Sequence, residues 1–80
     1  MGLAQTEEEL RDRLSRFIKA ELKRGKLTYA DLAERLREHG LPSESGTTIK
    51  AKLKRGAFAA TFLVATLAAL EMDGMRLEDL

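Results

Sequence analysis

Residues Ala57 to Leu70, AFAATFLVATLAAL, carry no charged side chain. A segment that water rejects on all sides has to be covered by protein or by lipid. Lipid does not suit its length: at about 1.5 Å per helical residue the run reaches about 21 Å, short of the roughly 30 Å hydrocarbon slab of a bilayer. The segment is therefore expected to be the buried scaffold helix of a small fold, at about residues 59–72, ended by Asp73-Gly74. Met75, Leu77 and Leu80 suggest one further turn.

The residues before this run read as three more helices. Thr6-Glu7-Glu8-Glu9 has the pattern of a reciprocal N-terminal cap, and Leu10, Leu14, Phe17, Ile18 and Leu22 follow at helical spacing. This predicts a helix over 7–24, with Gly25 as its stop. Thr28 and Asp31 cap a second helix of about eleven residues, whose inner face is Tyr29, Leu32, Ala33 and Leu36 and whose end is marked by Gly40 and Pro42. Residues 41–46 read as a loop. A third helix spans about 47–55, anchored by Ile49 and Leu53 and closed by Gly56. With no alternating strand pattern, the expected fold is all-α: one compact domain over residues 1–80, a bundle of four to five helices.

Charge is distributed unevenly within this frame. The 80 residues hold 14 Lys and Arg against 13 Asp and Glu, a formal net charge of +1. No acid, however, falls between Glu44 and Glu71, whereas Lys50, Lys52, Lys54 and Arg55 crowd into the third helix. With Ile49 set at zero and about 100° per residue, Leu53 falls at about 40°, so the buried direction is near 20°. Thr47, Ala51, Lys54 and Arg55 lie around the opposite direction, with Thr48 and Lys50 on its shoulders and Lys52 at the other border. Such a helix suits the major groove of double-stranded DNA: Thr47 and Thr48 can meet phosphates or base edges, Ala51 permits close approach, and the cations neutralise phosphates. The competing interpretation of a Lys-rich face is simple solvation.

The order of elements carries a resemblance. "LTYADLAERL", "TTIKAKLKRG" and "FLVATLAALEMDGMRLEDL" resemble the first motif helix, the recognition helix and the following helix of the lambda-repressor-like (Cro/Xre-type) helix-turn-helix domains. The chain is also similar to a small uncharacterised bacterial helix-turn-helix-like domain family with the signature "AELKR...TYADLAERL...IKAKLKRGAF". The resemblance covers about residues 16–70, with the helix-turn-helix at about 28–56. It implies a bacterial or phage transcriptional regulator that acts by occupying DNA; with zero Cys the chain reads as intracellular, so a cytoplasmic location is expected, nucleoid-associated when bound. The turn departs from the family pattern, because Ala33 and Ile49 are farther apart than usual and about six extra residues lie in "REHGLPSES". Such an insertion can be accommodated as a loop at small entropic cost, but it can tilt the third helix.

The remaining residues give little sign of catalysis. With zero Cys and one His, no sequence cluster has metal-ligand spacing, and Ser15, Ser43 and Ser45 have no neighbouring base, so no enzyme, metal or cofactor is expected. His39 is read as a partner of the last carbonyls of the second helix. Tyr29 packs inward, with a hydroxyl able to reach water or a phosphate. Lys23, Arg24 and Lys26 are either a second phosphate clamp or dipole partners of the first helix. Phe58 is expected to plug the core. The scaffold helix is also a candidate contact for a second copy of the chain. The rival function class is a protein-interaction module docking a larger partner through residues 57–70 and the tail.

Overall fold

The structure, a computed structural model, describes residues 4–80. Four α-helices follow one another, α1 (Glu7–Arg24), α2 (Tyr29–Arg37), α3 (Gly46–Arg55) and α4 (Ala60–Ala69), before a 3-10 turn at Leu77–Asp79. No strand occurs among the described residues, so the fold is the all-α bundle that the sequence predicts.

Local caps account for most helix boundaries. Thr6 Oγ1 accepts the Glu9 N–H at 3.0 Å, but the Glu9 carboxylate reaches back to the N–H of Gln5 at 3.0 Å rather than to that of Thr6, so the predicted reciprocal cap is only half made. At α2 both halves form: Thr28 Oγ1 accepts from Asp31 N–H at 3.0 Å, and the Asp31 carboxylate accepts from Thr28 N–H at 2.9 Å. The backbone hydrogen bond from Thr28, then that of its side chain, hold the Asp31 pKa below its ordinary value. Gly25 is not the reversal point of α1. It stays right-handed, while Lys26 takes φ 57 and the Leu27 N–H reaches Leu22 O at 2.9 Å. The reversal at Lys26 brings half-buried Leu27 back onto the core, a hydrophobic contact that accompanies this type of helix end.

The core draws on every helix: Ile18 and Leu22 from α1, Leu32, Ala33 and Leu36 from α2, Ile49 and Leu53 from α3, and Phe62, Ala65 and Ala69 from α4. Full burial of Ile49 and Leu53 contributes roughly 3 to 6 kcal/mol to holding α3 in place, at about 1.5–3 kcal/mol for each side chain. Phe58 is half-buried against this core, its ring 4.9 Å from that of Phe62. The radius of gyration, 12.2 Å, is close to the roughly 11.6 Å expected for a compact chain of this length.

The uncharged segment behaves differently from its sequence expectation. It forms a shorter helix, because Glu71 turns left-handed at φ 59 and the Met72 N–H closes onto Leu67 O at 2.9 Å. Nor is it central: α4 packs on α2, and Val64 remains 65 % exposed together with Ala60, Thr61 and Ala68. A chain this small offers too little protein surface to cover all sides of the helix.

Two side chains from neighbouring helices complete helix ends. Ser15 of α1 is buried and donates its hydroxyl to Leu53 O at 2.7 Å, and Arg35 of α2 donates to Ala69 O at 3.0 Å. Both acceptors belong to the last turn of a helix, where carbonyls lack partners within the helix. His39, just past the end of α2, does the same for that helix, its Nδ1 lying 2.8 Å from Arg35 O, as the sequence predicts.

Candidate nucleic-acid interface

Three anchors fix how α3 stands on the rest of the protein. Its inner side is held by Ile49 and Leu53. Its N-terminus lies against that of α2: a Cβ on Gly46 would stand 3.3 Å from Ala30 N and 3.6 Å from Tyr29 Cβ. Its C-terminus lies against α1, where Gly56 takes φ 67 and a Cβ would stand 2.7 Å from Arg11 Cβ and 2.9 Å from Arg11 O. Gly56 thus satisfies a left-handed backbone and a close helix approach at once.

With α3 so fixed, Thr47, Lys50, Ala51, Lys54 and Arg55 are all exposed, the arrangement expected from helical spacing. Lys50, Lys54 and Arg55 make no ion pair among the described residues. Tyr29 is half-buried against the core, next to the start of α3.

Lys52 and Thr48 already have partners within the protein. Lys52 Nζ pairs with the Glu44 carboxylate and sits 4.8 Å from the centre of the Phe62 ring; the two charged side chains are 27 % and 10 % exposed. Lys52 therefore ties the α2–α3 connection to α3 and α4, and its charge is neutralised inside the protein. Thr48 Oγ1 accepts the Ser45 N–H at 2.8 Å and lies 2.7 Å from Glu44 Oε1, while the Thr48 N–H reaches Ser45 Oγ at 3.2 Å. This hydroxyl is occupied in the cap of α3. Burial opposes ionisation of Glu44, yet the hydrogen bonds from Lys52 and Thr48 outweigh it and leave its pKa lowered. The local signal for the cap was Ser45 three residues before Thr48. Nothing local pairs Glu44 with Lys52.

Lys19 was not singled out in the sequence, and it joins two surface clefts. One runs between α1 and the end of α3, with Lys19, Arg16 and Asp12 facing Lys54 and Arg55. The other is lined by Lys19, Lys23, Thr28 and Tyr29, among others. Acids are present at the N-terminal end of the first cleft, where Asp12 pairs with Arg16 and Glu8 also contributes to the lining. Arg24 is committed to Glu21 at 2.9 Å.

Among the described residues, no group of three or more His, Cys, Asp or Glu side chains could hold a metal ion, and no helix is long and apolar enough to cross a membrane. Comparison with curated proteins and with solved structures finds no significant match. A family model does match, over residues 10–75, which takes in all four helices apart from the first turn of α1. The chain therefore belongs to the family described as Domain of unknown function (DUF6471).

Proposed function

We propose that this protein binds double-stranded DNA, with α2 and α3 acting as a helix-turn-helix of the Cro/Xre kind and α3 entering the major groove, and that it regulates transcription by occupying its site. The observation that carries this reading is the outward face of α3, where Lys50, Lys54 and Arg55 stand exposed and without ion pairs among the described residues, around small Ala51 and Thr47 and above a rigidly anchored inner side. A helix about 10–12 Å across fits a groove about 12 Å wide, and α3, at about 15 Å, is long enough to lie along several base steps. Helix-dipole stabilisation by cations in the last turn, about 0.3–1 kcal/mol each, accounts for Lys54 and Arg55 but not for Lys50 or the absence of acids.

The test is a gel shift on mixed-sequence duplex at low salt, followed by titration against salt. Affinity should fall with a slope reflecting on the order of four to six phosphates per protomer. Lys54→Ala should weaken all sequences alike and reduce that slope by about one, with the fold intact. Absence of binding at micromolar protein would remove the reading.

A second reading, docking of a protein partner, is favoured by Val64 at 65 % and Leu77 at 68 % exposure. It predicts a monodisperse monomer that ignores DNA and co-purifies with another protein.

A further inference from the structure

The two flanks of α3 are electrostatically unlike. On one, Lys52 is cancelled by Glu44 and drawn over Phe62, so that side offers no free cation of its own beyond Arg55. The other flank carries Lys50 and Lys54, at about 100° and 140° on the projection that sets Ile49 at zero. Beyond Lys54 it continues onto α1, where Lys19 closes the cleft shared with Lys54 and Arg55 and also opens the one shared with Lys23 and Tyr29.

On α1, Lys19 and Lys23 are one turn apart, exposed, and without ion pairs among the described residues. They share their side of α1 with Asp12 and Glu8, but those acids lie two and three turns towards the helix start, and Asp12 is paired with Arg16. The first acid of α2, Asp31, folds its carboxylate back onto the Thr28 N–H. The cationic strip therefore runs from Lys54 across Lys19 to Lys23 and ends at the Tyr29 ring.

We propose that Lys19 and Lys23, with the Tyr29 hydroxyl, clamp the sugar–phosphate backbone of one strand of duplex DNA beside α3, giving the protein a one-sided grip on the groove in which α1 holds the wall and α3 reads the floor. The proposal rests on the DNA-binding reading above. Lysines act as point charges on phosphates and a phenol can donate to a phosphate oxygen, so the clamp fixes orientation and carries no base preference. On the Lys52 flank Arg55 is the single cation left to the opposite strand among the described residues, so no matching clamp forms there.

The experiment measures salt dependence on mixed duplex for the wild type, Lys19→Gln/Lys23→Gln, Lys54→Gln, and Arg37→Gln as a cation at the far end of α2. The expected result is a slope lower by about two for the double variant, about one for Lys54→Gln and unchanged for Arg37→Gln, with base preference the same in all. Lys19→Arg/Lys23→Arg should keep the wild-type slope, because charge and not packing is at issue. A wild type that fails to bind duplex sinks the DNA reading and the clamp with it. A wild type that binds, with Lys54→Gln reducing the slope and Lys19→Gln/Lys23→Gln leaving it unchanged, overturns the clamp alone. So does equal loss in the Gln and Arg double variants, which would mark a structural role.

Discussion

Replacing Gly56 by Ala probes the joint between α3 and α1, and two separable costs follow from the structure. The first is conformational: φ is 67 at this residue, and a left-handed backbone costs an L-residue about 1–2 kcal/mol. The second is steric. The added Cβ would meet Arg11 Cβ at 2.7 Å and Arg11 O at 2.9 Å, and because one contact is backbone the two helices must part; overpacking of this kind costs about 1–3 kcal/mol. The sum, about 2–5 kcal/mol, is a large share of the roughly 4–12 kcal/mol expected for 80 residues. Gly40→Ala separates the two terms, since Gly40 is also left-handed, at φ 90, but a Cβ there has nothing within 4 Å. Urea unfolding followed by circular dichroism should place Gly56→Ala below Gly40→Ala by about 1–3 kcal/mol, or about 1–3 M in midpoint for a slope near 1 kcal/mol/M. Equal losses in the two variants would refute the close approach as a source of the cost.

The two buried hydroxyls predict opposite signs. Ser15→Ala removes the donor to Leu53 O and leaves that carbonyl buried, at a cost of about 1–3 kcal/mol, whereas Thr66 Oγ1 has no hydrogen-bond partner among the described residues, so Thr66→Val should be neutral or stabilising in the same urea assay. A destabilised Thr66→Val would mean that its hydroxyl has a partner. The Glu44–Lys52 pair predicts a pH dependence: the Glu44 pKa is lowered in the folded chain from an ordinary 4.5, so its contribution is fully present above that value and is lost as pH falls through the lower, folded value. Unfolding midpoints taken between about pH 6 and about pH 3 should therefore fall less steeply for Glu44→Gln than for the wild type, and parallel curves would show that the pair adds nothing.

How much of this was legible in the sequence depends on how far apart the interacting residues lie. The bounds of α1, the Thr28–Asp31 cap, the stop at Gly56 and the inward Ile49 and Leu53 all rest on relations within one or two helical turns, where spacing and residue type fix the geometry. The exposed face of α3 follows from the same rule, so Thr47, Lys50, Ala51, Lys54 and Arg55 could be placed from the sequence. Other features required the chain to return on itself. Lys52 looked like one more cation on a helix until the α2–α3 connection brought Glu44 to it from eight residues away. Ser15 looked inert, and its acceptor is 38 residues distant. Lys19 gained meaning only when α1 settled beside the end of α3. The uncharged run at 57–70 announced burial, but how much of it would be covered depended on the area its neighbours could offer, and they leave Val64 in the open. Periodicity and caps act through the backbone next to them, and so the sequence alone determined α1, α2 and α3 and their inner faces. Which charges are spent inside the protein and which remain on its surface was decided by tertiary packing, because a charge is neutralised by whatever the fold brings within a few ångströms of it, whether or not it is near in the chain.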